Sequence, residues 1–124
     1  MDTKQVILLV DDEADVRKVL GQRLRTAGYQ VIEAADGVAA VQAARQHVPN
    51  LILLDVVMPG IDGATVAQTL HDDPLTQGIP VIFLTALFTK QEEAAEGHCI
   101  GEGIFVAKPY DSRELLRLIQ ENIR

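Results

Sequence analysis

The chain has 124 residues, 48% of them apolar and 23% charged, which is enough for one hydrophobic core and ordinary for a folded domain. Its formal charge of −7 argues against a non-specific nucleic-acid surface, since that needs a cationic face. The apolar runs are too short to span a bilayer. A single cysteine, Cys99, excludes an internal disulfide and fits a reducing compartment. The opening Met-Asp-Thr-Lys lacks the form of a signal peptide. The expectation is one cytoplasmic domain over residues 1–124, without a membrane segment and without direct nucleic-acid binding.

Five short runs have strand character: Val6 to Val10, Gln30 to Ala34, Leu51 to Leu54, Val81 to Leu84 and Ile104 to Ala107. Helical patterns lie between them. Val16, Val19, Leu20 and Leu24 recur at helical spacing, and Gly28 supplies a stop. Asp36-Gly37 opens a second helix whose inner face would hold Val38, Val41 and Ala44, with Pro49 beyond its end. A third runs around Ala64 to His71 and stops before Pro74. Thr89-Lys90-Gln91-Glu92 has capping-box spacing for a fourth. In the last, Asp111 can cap, Glu114 can reach back, and Leu115, Leu116, Ile119 and Ile123 would form the buried stripe. Strict β-α alternation at these lengths predicts a doubly wound parallel sheet with helices on both faces.

Reactive side chains stand at four strand ends. Asp11-Asp12-Glu13 follows the first strand, Asp55 closes the third, Thr85-Ala86 follows the fourth and Lys108-Pro109 the fifth. Parallel strands point their carboxyl ends the same way, so these groups gather at one sheet edge, where α/β folds place ligands. Clustered carboxylates repel unless a cation joins them. Few hard oxygen ligands open to water suit Mg²⁺, which bridges to phosphate oxygens. Lys108 adds a fixed positive charge and Thr85 a hydroxyl donor. Carboxylate nucleophile, metal, cation and hydroxyl are the parts needed for phosphoryl transfer to an Asp side chain.

With VDDE, DVVMPGIDG, TA and KP in this order and spacing, the chain resembles the receiver domains of two-component response regulators over essentially its whole length, in a stand-alone, chemotaxis-regulator-like form. The resemblance implies a flavodoxin-like five-stranded parallel sheet of order 2-1-3-4-5. It implies phosphorylation of Asp55 by a phosphohistidine on a sensor histidine kinase or phosphotransfer protein, and a partner-binding face that switches in response. It implies a Mg²⁺ site formed by Asp11, Asp12, Asp55 and the backbone carbonyl of Val57. Thr85 and Lys108 would bind the phosphoryl group. Phe105 matches the aromatic switch position, although on packing grounds alone it reads equally well as core. Such a protein is not an enzyme in the usual sense, because it catalyses only its own phosphorylation and dephosphorylation.

Two departures from the family pattern stand out. The segment Gly97-His98-Cys99-Ile100-Gly101-Glu102-Gly103 replaces the usual Gly-Ala-Asp-type approach to the fifth strand, and its Gly101-Glu102-Gly103 part reads as a turn. Val57 and Leu87, two positions beyond Asp55 and Thr85, are apolar where many receivers hold polar residues. His47, His71 and His98 are scattered and read as solvent-facing. One alternative is the receiver part of a longer regulator with a DNA-binding or enzymatic output domain. A remote one is an aspartate-nucleophile phosphatase, which would need a second Asp where Val57 stands, and a cap segment.

Overall fold

In the computed structural model, the described residues are 4–55, 63–85, 99–100, 103–107 and 111–123. Along the chain they form β1 (Val6–Val10), α1 (Ala14–Thr26), β2 (Gln30–Ala34), α2 (Gly37–His47), β3 (Leu51–Asp55) and α3 (Gly63–Asp72). Then come β4 (Val81–Thr85), β5 (Cys99–Ile100), β6 (Gly103–Ala107) and α4 (Ser112–Asn122). The capping-box helix expected from Thr89 lies outside the described residues.

The strand order is β2-β1-β3-β4-β6-β5. β2, β1, β3, β4 and β6 are all parallel, which is the expected 2-1-3-4-5 sheet with β6 in fifth place. The sheet has one strand more than expected. Cys99 and Ile100 pair antiparallel with Ile104 and Gly103 at its edge, so Gly103 belongs to a strand and not to a turn. No run of apolar residues signals a two-residue strand; only its pairing partner defines it.

Burial on both faces explains the unbroken apolar runs of β1 and β3. Side chains alternate across a strand. Ile7, Leu9, Leu51, Leu53, Ile82, Leu84 and Val106 therefore pack with Leu20 and Leu24 of α1 and with Leu115, Leu118 and Ile119 of α4. Leu8, Val10, Ile52, Leu54 and Phe83 pack on the other face against Ala40, Ala44, Val66 and Leu70. Two expected inner-face residues are in fact half exposed: Val19 at 56% and Val38 at 54%. Their places toward the sheet are taken by Leu20, Gly21 and Leu24 in α1 and by Gly37, Ala40 and Ala44 in α2. Small residues on α2 let it lie close to the sheet, which turns the valine at its first turn outward.

Local chemistry sets the element ends. Asp36 accepts a hydrogen bond from Ala39 N (2.8 Å) to cap α2, and Asp111 accepts from Arg113 N (2.8 Å) to cap α4. Thr76, buried, donates its hydroxyl to Leu70 O (2.6 Å) and so closes the end of α3 just past Pro74. Asn50 ties the start of β3 to β1: its Oδ1 accepts from Val6 N and its own N donates to Val6 O, both at 2.7 Å.

Candidate functional site

Pairing of β1 and β3 decides which acids meet. Val10 lies opposite Leu54, so the next step along each strand puts Asp11 beside Asp55. Both share the pleat side of Leu9 and Leu53, the face covered by α1. Asp11 is 1% exposed and Asp55 7%, whereas Asp12 is open to solvent. Each of the three offers a carboxylate oxygen, and these oxygens all lie within 4.8 Å of one another.

Several contacts hold the first acid. Asp11 N donates to Ala34 O (3.1 Å) at the end of β2, and Asp11 Oδ1 accepts from Glu13 N (2.9 Å). That second bond turns the chain into α1, whose N-terminal residue is capped by backbone geometry without a side-chain bond from Glu13. From the first turns of α1, Arg17 Nη1 donates to Asp11 O at 2.6 Å. Arg17 Nε also sits 3.4 Å from Glu33 Oε1, and Arg25 Nη2 3.3 Å from Glu33 Oε2.

Thr85 ends β4 one step beyond Leu84, the residue opposite Asp55, and pairs with Ala107 at the end of β6. Phe105 lies in β6 opposite Phe83. The backbones of both residues thus take the strand positions expected for them. Lys108 and Val57, like Leu87, lie outside the described residues. Among the described residues, then, the structure brings together Asp11, Asp12 and Asp55 and sets Thr85 on the neighbouring strand end. His47 and His71 are exposed, as expected.

Arg17 and Glu33 were not singled out by sequence reading. The available signals were a charged residue interrupting the β2 run, and an arginine one turn after Glu13. Neither shows that the two meet.

The donor set suits a hard divalent cation: carboxylate oxygens only, two buried and one solvated. A doubly wound α/β domain with an acid cluster at the carboxyl ends of its central strands places its ligand at the topological switch point. Residues 7–120 match the family model of the response regulator receiver domain, and the chain belongs to that family. It is 37% identical over 124 residues to "Probable transcriptional regulator ycf27" of Guillardia theta, covering 100% of this chain and 47% of that one. The chain thus spans about half the length of the curated relatives it matches.

Among solved structures, it superposes on chemotaxis protein CheY4 of Vibrio cholerae with a TM-score of 0.83 at 27% identity, covering 98% of this chain and 100% of that one. The receiver domain of sensor histidine kinase PA1611 from Pseudomonas aeruginosa, which has a magnesium ion coordinated in its active site cleft, gives a TM-score of 0.82 at 31% identity, covering 97% and 98%. The flavodoxin-like fold and the receiver class expected from the motifs are therefore both found.

Proposed function

We propose that this receiver domain is a phosphorylation switch in which Asp55 accepts a phosphoryl group from a phosphohistidine on a sensor histidine kinase or phosphotransfer protein. The convergence of Asp11, Asp12 and Asp55 within 4.8 Å carries this reading. Folding brings like charges together there, at a cost that a divalent cation would offset. In this reading Asp11, Asp12 and Asp55, with the Val57 carbonyl, hold Mg²⁺. When bound, the ion supplies charge neutralisation that lets an anionic oxygen approach phosphorus. An Asp55 oxygen attacks phosphorus, the P–N bond of the donor breaks, and the imidazole leaves. Thr85 and Lys108 bind the phosphoryl oxygens, and Phe105 turns inward as the partner-binding face changes. The domain catalyses only this step on itself and the hydrolysis of the resulting aspartyl phosphate, which frees Asp55 and releases inorganic phosphate, and it acts in the cytoplasm. Among the described residues no helix is long and apolar enough to cross a membrane.

The test uses Mg²⁺ with acetyl phosphate and intact mass measurement. Wild type should gain one phosphoryl group, and Asp55→Asn should gain none while keeping its fold. Equal Mg²⁺-dependent labelling of Asp55→Asn would overturn the assignment.

A second reading concerns what the domain controls. Its coverage of 48% of a Synechocystis relative named as a DNA-binding transcriptional regulator favours an output domain that binds DNA beyond this receiver. The reading frame downstream of the codon for Arg124 decides it: an encoded DNA-binding domain supports this reading, and an immediate stop codon refutes it.

A further inference from the structure

The contacts behind the acid cluster form a continuous chain from Asp11 to the edge of the sheet. Arg17 places two different nitrogens on two different partners: Nη1 on the carbonyl of Asp11 at 2.6 Å and Nε on Glu33 at 3.4 Å. The carbonyl of Asp11 belongs to the peptide that joins Asp11 to Asp12. Holding it fixes the plane of that peptide, and with it the directions in which the two Asp side chains leave the backbone. The Asp11 N–H is already committed to Ala34 O on β2, so the residue is gripped on both sides.

The Arg17 side chain as a whole is only 18% exposed, which favours a fixed contact over a solvated one. Glu33 keeps it in place and offsets part of its charge, and is itself shared with Arg25 about two turns further along α1. Without that pairing, a cation so near the acids would compete with an incoming metal ion. With it, Arg17 acts by geometry.

We propose that Arg17, anchored by Glu33, is a positioning residue that sets the Asp11–Asp12 peptide in the geometry required for divalent-cation binding by the acid cluster. This rests on the reading of Asp11, Asp12 and Asp55 as a Mg²⁺ site. Partners of this kind, one shell out from a metal, typically change its affinity by about 10- to 100-fold when removed.

The experiment measures Mg²⁺ affinity by calorimetry on the unphosphorylated protein for wild type, Arg17→Gln and Arg17→Lys. It is run at 1 M KCl, where the Debye length falls to about 3 Å and charge effects acting through solvent fade; Arg17→Lys controls for those that remain. Arg17→Gln is expected to bind Mg²⁺ roughly 10-fold or more weakly. Arg17→Lys, with one nitrogen in place of two, should recover part of the loss. Equal or tighter binding by Arg17→Gln would overturn the proposal, because a residue acting only as a competing cation, or only on stability, gives that result. Should Arg17→Gln fail to fold, Arg17→Lys applies the same test with the charge kept: weaker Mg²⁺ binding than wild type supports the proposal, and equal or tighter binding overturns it. Failure of wild type itself to bind Mg²⁺ would instead refute the metal site, which separates the two ideas.

Discussion

Neutralising Asp12 should make the domain more stable without Mg²⁺ and less responsive to it. Asp11 and Asp12 are neighbours in the chain, so much of their mutual repulsion persists in the unfolded state. The repulsion that folding creates is chiefly between Asp12 and Asp55, whose oxygens come within 4.8 Å. Asp12 is solvent-exposed although Asp55 is buried, so the bulk-water value of about 1 kcal/mol at low salt is the least the pair costs. Asp12→Asn should therefore gain at least about 1 kcal/mol in metal-free buffer. In wild type, each tenfold rise in free Mg²⁺ above the dissociation constant adds about 1.4 kcal/mol by linkage, whatever that constant is. For a domain of 124 residues the unfolding entropy is about 0.26 kcal/mol per kelvin, so the melting temperature should climb by about 5 °C per tenfold step. Thermal melts monitored by circular dichroism, in chelator and then across a Mg²⁺ series, give both quantities. The two proteins should exchange order: the variant ahead in chelator, wild type ahead at high Mg²⁺. A wild-type melting temperature indifferent to Mg²⁺, or a variant less stable than wild type in chelator, would refute the reasoning.

Three further outcomes test the fold that supports the site. Val48 ends α2 in the left-handed region (φ 43°, ψ 67°) and is 48% exposed, so Val48→Gly should raise unfolding free energy by about 0.5–1 kcal/mol in urea titration, because relief of backbone strain outweighs the added chain entropy. Gly21 lies inside α1, and a methyl group there would sit at ordinary contact distance, 3.4 Å from the flexible end of Arg25. Gly21→Ala should thus stabilise by about 1 kcal/mol from helix propensity, and a loss in the same titration would show that α1 cannot give way against the sheet. Leu53 is fully buried beneath α1 and α4, and Leu53→Ala should cost about 2–5 kcal/mol in the same titration.

Much of this molecule was legible in one dimension. The run Leu51 to Leu54 reads as a strand covered on both faces, and its neighbours alternate with helical periods at lengths that argue for a doubly wound sheet. Asp11, Asp12 and Asp55 could be picked out because an acid at the end of a buried apolar strand has no packing reason to be there. Such patterns are local, and covalent spacing transmits them.

Other features depended on what the elements pack against. Helical spacing alone does not say which side of α1 or α2 turns inward: Val19 and Val38 fit an inner face by spacing, but Leu20, Gly21 and Leu24 in α1 and Gly37, Ala40 and Ala44 in α2 make the contact. The edge strand Cys99–Ile100 exists only by pairing with Gly103 and Ile104. Asp11 faces Asp55 because β1 and β3 lie side by side with Val10 opposite Leu54, a register set by burial on both faces and by Asn50. Arg17 meets Glu33 across the gap between a helix and the edge strand, a distance that chain order does not encode. The sequence by itself thus determined the elements and the chemistry at their ends. The tertiary structure alone decided which ends meet and what holds them, because those contacts join residues far apart along the chain.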